Sequence, residues 1–277
     1  MTVNRQLPWV DGCEQMESAD DIVVISRDRP GTATITFNRP HRRNAWTVPL
    51  QSAYFAALDE LSRTPGLRAV VVTGADGTFC PGADTEALQT YSDTGTTNPD
   101  MALIEQPEWF PTTVRIPIIA AIDGMCAGVG LAQALMCDVR VAAPDTRFTT
   151  AFAKRALPPM HGMATLLCRA AGDATASELL LTARTFSGAD AARLGVVTEV
   201  ADDPLQRALD VAEEMARWCA PSSMALMKSR LNAPWLSRLQ EDIESVDAML
   251  PSVLSSSDFA EGVASFLARR EPQFKEI

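Results

Sequence analysis

The first part of the chain alternates short apolar runs with longer segments that carry apolar residues at helical spacing. Residues 22–26 and 33–37 alternate apolar and polar positions on either side of a Pro-Gly pair at 30–31, a pattern that predicts a β-hairpin. Residues 50–61 follow the helical spacing, and the Thr-Pro-Gly sequence at 64–66 predicts the end of this helix. The pattern therefore indicates two antiparallel strands followed by a helix.

Three later runs are rich in Val, Ile and Ala, and helix-like segments separate them. They cover residues 68–74, 116–122 and 138–142. Strands that alternate with helices are typical of right-handed βα crossovers and of a mainly parallel sheet covered on both faces. The sequence therefore predicts an α/β fold.

The last quarter of the chain has a helical pattern. A stripe of Leu205, Leu209, Ala212, Ala216 and Cys219 predicts one helix after Pro204, and further helices are expected near residues 222–231, 237–249 and 258–269. Earlier in the chain, residues 91–100 are polar and rich in Thr, Asn and Asp, which predicts a loop.

Length and composition set the broad class of the protein. A chain of 277 residues can form one large domain or two small ones, and no flexible linker or repeat divides it, so we expect one domain with a helical C-terminal extension. No apolar stretch approaches the roughly 18 residues that span a bilayer. Residues 1–21 have neither the apolar core of a secretion signal nor the bias of a transit peptide. We therefore expect a cytoplasmic protein without a membrane partner.

Charge restricts the partners further. The formal net charge of −11 disfavours nucleic acid and anionic membranes, although a local cationic patch can still bind a phosphate-bearing ligand. The densest basic cluster comprises Arg39, His41, Arg42 and Arg43. It is either a solvated loop or such a phosphate-binding patch.

The cysteines show no metal-binding pattern. The chain has six, with no Cys-x-x-Cys spacing and only two histidines, so neither a metal site nor a disulfide framework is expected. Cys80 and Cys126 lie beside glycine-bearing turns, where a helix N-terminus can lower the pKa of a thiol. The alternative is that they are buried and behave as small hydrophobic residues.

Two of the apolar runs lead into these glycine-bearing turns. The first reaches Gly82-Ala83, and the second passes Gly124 and reaches Gly128-Val129-Gly130. Glycine lets the backbone approach a ligand closely, and the first amides of a helix have no internal partner. Two such turns can direct two N–H groups at one oxygen, the arrangement called an oxyanion hole.

The motifs around the turns point to a family. They are Phe79-Cys80-x-Gly82-Ala83-Asp84, Pro117-x-Ile119-Ala120-Ala121-Ile122-x-Gly124 and Cys137-Asp138-x-Arg140-x-Ala142. Further matching residues are Arg39-Pro40, Arg43-Asn44-Ala45, Arg147-Phe148, Glu178 to Thr182, Gly195-Val196-Val197, Asp258-x-x-Glu261-Gly262 and Arg270-x-Pro272. From about residue 22 to its end, the chain resembles the crotonase (enoyl-CoA hydratase/isomerase) superfamily.

The resemblance implies a fold and an assembly. The fold is a crotonase-like spiral of ββα units over residues 1–200, with a C-terminal helical trimerisation region over residues 201–277. A homotrimer or hexamer is implied, and residues 91–100 are either a lid over the acyl pocket or a plain surface loop.

The resemblance also implies a binding site for acyl-CoA thioesters. The amides of Ala83 and Val129 are the two donors, although the family usually has glycine where this chain has Val129. Coenzyme A, as part of the substrate rather than a separate cofactor, is implied to contact Arg43 and Ala45, and we include Gly82 and Asp84 in this set.

The acid/base half of the family's machinery is not found in this sequence. The two glutamates of hydratases fall on Ala132 and Phe152, and the carboxylate of isomerases falls on Met160. His161 is the nearest titratable group, and its role is either catalytic or structural. Asp84 is a weaker candidate because an aspartate that opens a helix is usually an N-cap. Thr149 and Thr150 are weaker still, as side chains that position a water.

Two functions remain open from the sequence. The first is an enzyme of the hydratase/isomerase type with non-standard acid/base groups, and the second is a weak or inactive acyl-CoA-binding protein. A peptidase on a related fold is disfavoured because neither histidine has an evident serine partner.

Overall fold

The computed structural model describes residues 22–27, 29–97 and 104–275. Residues 1–21, on which the prediction about targeting segments depends, lie outside this part. Strand β1 (Val23–Ser26) pairs antiparallel with β2 (Thr32–Phe37), with Val23 opposite Phe37. The predicted hairpin is confirmed.

The main sheet of the described residues has six strands in the order β1-β2-β3-β4-β6-β9. Its remaining strands are β3 (Ala69–Gly74), β4 (Ile118–Ile122), β6 (Val139–Ala142) and β9 (Glu199–Val200). All pairs after the first hairpin are parallel. The three runs rich in Val, Ile and Ala are therefore the central parallel strands, as predicted.

A second, three-stranded sheet lies within the described residues, in the order β5-β7-β8. Its strands are β5 (Met125–Ala127), β7 (Arg147–Thr149) and β8 (Phe186–Ser187). Strand β5 follows β4 after a turn at Gly124, and an isolated bridge between Cys80 and Cys126 extends the same layer. The chain therefore passes repeatedly from one sheet to the other and then into a helix, which is the predicted ββα arrangement.

Helices cover both faces of the main sheet. They are α1 (Val48–Arg63), α2 (Thr85–Thr94), α3 (Phe110–Thr113), α4 (Val129–Met136), α5 (Met163–Ala171), α6 (Asp173–Thr182), α7 (Gly188–Arg193), α8 (Pro204–Trp218), α9 (Pro221–Leu254) and α10 (Ser257–Ala268). Val70 and Val72 face the larger core, whereas Ala69 and Val71 pack with Ala208 on α8. Alternate residues of one strand thus serve two cores, because successive side chains of a strand point to opposite faces.

Helix α8 is confirmed, and it packs directly on the main sheet, but its predicted stripe is only partly correct. Ala208 and Ala212 are buried, whereas Leu205 is exposed and Cys219 follows the end of the helix and is exposed. Residues 201–277 therefore begin with an element that covers the core formed by the preceding residues. The division of the chain at residue 200 stays a prediction.

Two local predictions about loops and helices are wrong. Residues 91–94, predicted as loop, form the last turn of α2, which ends at Gly95 in a left-handed conformation (φ 67°). Asp84 caps the start of this helix by accepting a hydrogen bond from the Glu86 amide, and the Gly95 amide closes its end by donating to the Tyr91 carbonyl. Residues 98–100 of the predicted loop lie outside the described part of the chain.

The two helices predicted near residues 222–231 and 237–249 are one helix of 34 residues, α9, with Pro234 inside it. A proline inside a helix removes one hydrogen bond and costs about 3 kcal/mol. Burial of a stripe beyond the proline offsets this cost, and that stripe comprises Leu239, Ile243, Val246, Leu250 and Leu254. Tertiary packing therefore overrides the local helix-breaking signal.

No helix in the described part of the chain is both long enough and apolar enough to cross a membrane.

Candidate active site

The first glycine-bearing turn is held by a short stretch of parallel pairing. The amide of Trp46 donates to the carbonyl of Gly82 at 2.8 Å, and the amide of Asp84 donates to the carbonyl of Trp46 at 3.0 Å. Successive peptide groups of an extended segment point in opposite directions. The amide of Ala83, between these two bonds, therefore points away from Trp46.

Glycine is required at position 82. Its φ is +106°, and an added Cβ would lie 3.2 Å from the carbonyl oxygen of Ala127 in the other turn. Only glycine adopts such a φ without strain. The backbones of the two turns can therefore lie against each other.

The second turn opens helix α4, whose first residue is Val129. Gly128 is the N-cap, with φ 50° and ψ −123°, and its amide donates to the Thr149 carbonyl at 3.1 Å. A Cβ on Gly130 would lie 2.4 Å from the Cys80 carbonyl oxygen, so this helix end is pressed against the first turn. The close contact at Gly130 fixes the position of the Val129 amide relative to the turn at Cys80.

Both turns line one cavity of about 1710 Å³. Ala83 and Val129 lie on its wall, and in the described chain neither of their amides donates to a backbone carbonyl. Val129 is 3% exposed, so its side chain packs in the core and its valine identity does not remove the N–H. The two turns therefore meet at one cavity, and the direction of both amides at one oxygen stays a prediction.

The residues predicted to contact coenzyme A fall into two groups. Arg43 and Gly82 line the cavity, whereas Ala45 and Asp84 are buried behind its wall. Arg43 is exposed, has a left-handed backbone (φ 53°), and forms no ion pair within the described residues. Its guanidinium is therefore available to a ligand, while the Ala45 carbonyl accepts a hydrogen bond from Arg39.

Asp84 holds the basic cluster in place. Its carboxylate lies 2.8 Å from Arg42 and 3.3 Å from Arg39 while it also caps α2. Burial disfavours its charge, but the hydrogen bond from Arg42, the Glu86 amide and Arg39 outweigh burial and lower the pKa of Asp84 below its usual value. The N-cap interpretation is confirmed, and two of the cluster's arginines are occupied by this contact.

The two cysteines beside the turns are buried, and the alternative of a low-pKa thiol is not supported. Burial raises the pKa of Cys80 to about 12 and that of Cys126 well above its usual value. Both side chains therefore act as small hydrophobic residues.

The three positions that the resemblance assigns to carboxylates carry apolar side chains. Phe152 and Met160 line the cavity. Ala132 is buried inside α4 and does not line it. Of the weaker candidates, Thr149 and Thr150 also line the cavity, but their hydroxyls donate to the carbonyls of Ala183 and Leu179.

His161 lines the same cavity and is paired with a carboxylate. Its Nδ1 lies 3.0 Å from Oε1 of Glu108, and the side chains are only 16% and 17% exposed. Burial disfavours the imidazolium, but the charge and hydrogen bond of Glu108, with the charge of Asp247, outweigh burial and raise the pKa of His161. Burial disfavours the charged form of Glu108, but the charge and the hydrogen bond of His161 outweigh burial and lower the pKa of Glu108 below its usual value.

Sequence reasoning missed Glu108. It is 53 residues away from His161, lies between predicted elements and belongs to none of the matched motifs. The one available signal was an isolated acid just before the aromatic pair Trp109-Phe110, which does not by itself indicate a site. Asp247, on α9, also lines the cavity and was missed because it belongs to none of the matched motifs.

Comparison with known proteins identifies the family. A sequence model described as enoyl-CoA hydratase/isomerase matches residues 27–277. This chain belongs to the enoyl-CoA hydratase/isomerase family. Its relatives in that family include the probable enoyl-CoA hydratase EchA8 of Mycobacterium tuberculosis, which is 32% identical over 263 residues and is matched across 92% of this chain and 98% of its own length. The 1,2-epoxyphenylacetyl-CoA isomerase of Escherichia coli K12 is 31% identical over 259 residues, covering 91% of this chain and 97% of that protein.

A solved structure of the enoyl-CoA hydratase/isomerase family has the same fold. The crystal structure of an enoyl-CoA hydratase/isomerase from Pseudoalteromonas atlantica superposes with a TM-score of 0.82 at 27% identity, covering 92% of this chain and all of that one. The predicted crotonase-like α/β fold with C-terminal helices is therefore confirmed.

Proposed function

We propose that this protein processes acyl-CoA thioesters, with the amides of Ala83 and Val129 as a two-donor oxyanion hole. The observation that carries the proposal is that both residues line one cavity and that neither amide has a backbone partner in the described chain. Donors fixed before the reaction stabilise negative charge that develops on the thioester oxygen. The family, whose members act on CoA esters, gives this cavity its substrate class.

The cationic residues around the cavity support binding of coenzyme A as part of the substrate. Arg43, Arg147 and Lys154 line the cavity, are exposed, and form no ion pair within the described chain. We assign the phosphates to Arg43 and a close approach of the ligand to Gly82. Ala45 and Asp84 contribute by holding Arg39 and Arg42, which fixes the loop that carries Arg43.

We propose His161 as the group that moves a proton. Hydration in the family's usual manner needs two carboxylates, and Ala132 and Phe152 stand at those positions. An imidazole is suited to both accept and donate a proton near neutral pH. Reactions that need one acid/base group, such as a shift of a double bond, therefore fit this cavity better than two-glutamate hydration.

Assembly and location complete the proposal. Apolar residues exposed on and after α8 support a homotrimer or hexamer, and they include Trp218, Leu226, Met227 and Leu231. We also propose a cytoplasmic location, supported by free cysteines within the described chain. The net charge of −11 supports the absence of a nucleic-acid partner.

The second candidate is an acyl-CoA-binding protein with little or no turnover. Phe152 and Met160 favour it, because the cavity presents apolar side chains where catalytic carboxylates are expected. Binding would then depend on the same two amides and the same cations. Turnover, and not binding, distinguishes the two functions.

The test is a panel of saturated, 2-enoyl and 3-enoyl CoA thioesters, assayed for binding by calorimetry and for turnover by absorbance. We expect binding, slow hydration of crotonyl-CoA and faster isomerisation. In His161→Ala, we expect turnover to fall by roughly 10²–10⁴-fold while binding is retained. Fast hydration, at about 100 per second or more, contradicts the acid/base assignment. Binding without any turnover favours the second candidate, and absence of binding rejects both.

A further inference from the structure

We propose that Glu108 is a positioning residue, which accepts a hydrogen bond from Nδ1–H of His161 and leaves Nε2 to exchange protons with the ligand in the cavity. This inference rests on the proposed function, because it assigns a role in the same site. It concerns a residue that belongs to none of the sequence motifs and that lines the same cavity as His161.

The contact between the two side chains fixes the state of the imidazole. Nδ1 of His161 lies 3.0 Å from Oε1 of Glu108. A carboxylate accepts hydrogen bonds and does not donate, so Nδ1 carries a hydrogen in the paired state. The neutral ring then has its free lone pair on Nε2, and this nitrogen has no hydrogen-bond partner and is not fully buried in the described structure.

The backbone of His161 is held in a strained conformation. Its φ is +60°, and Gly162 follows with φ +68°. A non-glycine residue in this region costs about 1–2 kcal/mol and is retained only where the surroundings impose it. Gly162 packs closely against α9, since an added Cβ there would lie 2.2 Å from Cδ1 of Leu239. This turn places the ring of His161 on the cavity wall.

The carboxylates near the imidazole of His161 favour its protonated form. Glu108, from the segment before α3, and Asp247, from α9, are the groups in the described chain whose charges favour the imidazolium. Oε2 of Glu108 is fully buried and has no hydrogen-bond partner there. A structural ion pair is usually built with both carboxylate oxygens satisfied, since an unpartnered buried oxygen is costly. The contact with His161 is therefore the main interaction that offsets the cost of burying the Glu108 carboxylate.

A purely structural ion pair predicts that loss of Glu108 changes stability and the His161 titration but leaves kcat unchanged. A positioning role also predicts that Nδ1 carries the proton of the neutral imidazole and that kcat falls more than KM changes. The chain has only two histidines, so both imidazoles can be followed in a single spectrum. His41→Gln removes the second signal and completes the assignment.

The experiment is ¹⁵N NMR of histidine-labelled protein as a function of pH, in wild type, Glu108→Gln and Glu108→Asp. We expect the neutral imidazole of wild type to carry its proton on Nδ1. In Glu108→Gln, we expect the His161 titration to move to lower pH, with partial recovery in Glu108→Asp. Glu105→Gln, which removes an exposed carboxylate three residues earlier, is the matched control and should leave the spectrum unchanged.

The kinetic arm uses the thioester that wild type turns over fastest. We expect Glu108→Gln to lower kcat by roughly tenfold or more, up to the 10²–10⁴-fold that a positioned acid or base supplies in total, and to change KM little. The pH limb that depends on His161 should move in the same direction as the NMR titration. An imidazole with its proton on Nε2, or an unchanged titration in Glu108→Gln, overturns the proposal. The NMR arm gives this answer even if the protein turns over no ester, so failure of the proposed function is distinguished from failure of this inference.

Discussion

The two halves of the cavity present different chemical groups, backbone amides in one half and side chains in the other. The half that contains Ala83 and Val129 presents backbone amides, and the half that contains Phe152, Met160 and His161 presents side chains. The backbone half follows the family motifs even though valine stands at position 129. The side-chain half carries Phe152 and Met160 at two positions that the resemblance assigns to carboxylates.

This difference shows which function tolerates sequence change. A backbone amide is present in every residue except proline, so its position depends on neighbouring glycines and not on the residue that carries it. A proton-transfer group is a particular side chain, and a single substitution removes it. A fold can therefore lose or move a proton-transfer side chain while it keeps the position of its backbone amides.

The largest expected effect comes from removal of one amide in the backbone half. Val129→Pro deletes the N–H, and proline is tolerated at the first position of a helix because that N–H has no intrahelical partner. We expect kcat to fall by roughly 10²–10³-fold, or about 2.7–4 kcal/mol of transition-state stabilisation. Steady-state kinetics checks this, with Val129→Ala, which keeps the amide, as the control. Equal activity in both variants would show that this amide is not a donor.

The contact between the turns should be the next most sensitive feature. In Gly130→Ala the new Cβ would lie 2.4 Å from the Cys80 carbonyl oxygen, so the backbone must move. We expect the free energy of unfolding to fall by roughly 1–3 kcal/mol, measured by urea denaturation, together with a loss of turnover. Gly172→Ala is the comparison, since an added Cβ there meets nothing within 4 Å and tests the backbone strain alone. If Gly130→Ala is as stable and active as wild type, the turns are not fixed by this contact.

A smaller effect is expected at the cationic wall. Arg43→Gln should weaken acyl-CoA binding by up to about 1 kcal/mol, or roughly fivefold in Kd, because the residue is exposed and its charge is screened. The loss should shrink at high salt. The control is calorimetry with a thioester of pantetheine, which lacks the nucleotide and all the phosphates of coenzyme A. An equal loss with that ester would contradict the assignment of Arg43 to the phosphates.

The smallest effect concerns stability and pH in the side-chain half. The pKa of His161 is raised above its ordinary 6.5 in the folded protein, so its contribution is complete below pH 6.5 and is lost as pH rises through the folded value. The pKa of Glu108 is lowered from 4.5, so its contribution is present above pH 4.5 and is lost as pH falls through the folded value. The difference in unfolding free energy between wild type and Glu108→Gln should therefore be largest between pH 4.5 and 6.5.

Urea denaturation across this pH range checks the prediction, with Glu105→Gln as the control. The effect should be modest because His161 can release its proton and avoid an unpaired buried charge. A difference that is constant with pH, or that grows above pH 8, would contradict the pairing.

Local patterns predicted most of the fold. The hairpin of β1 and β2 and the buried strands β3, β4 and β6 depend on runs of a few residues, so they were visible in the sequence. The fusion of two predicted helices into α9 was not, because the packing that offsets Pro234 comes from contacts distant in sequence. The last turn of α2 was not predicted either, because residues 91–94 belong to a polar run rich in Thr, Asn and Asp.

In the candidate site, too, the local features could be predicted from the sequence and the contact between distant residues could not. The glycines at 82, 128 and 130 mark the turns directly, because their backbone conformations and close contacts exclude other residues. The pair of Glu108 and His161 could not be predicted, since an acid outside any motif gives no sign of its partner until the chain folds.

The position of Asp84 links the movement of a loop to that of a helix. Its carboxylate joins Arg39 and Arg42 in the loop beside Arg43, while the same group begins helix α2, whose Leu88 and Tyr91 form another part of the cavity wall. The loop and the helix are thus joined through this carboxylate, and an ion pair of 2.8 Å between Arg42 and Glu86 adds a second link. A shift of the loop should therefore move the first turn of α2 with it, and with that turn a part of the cavity wall.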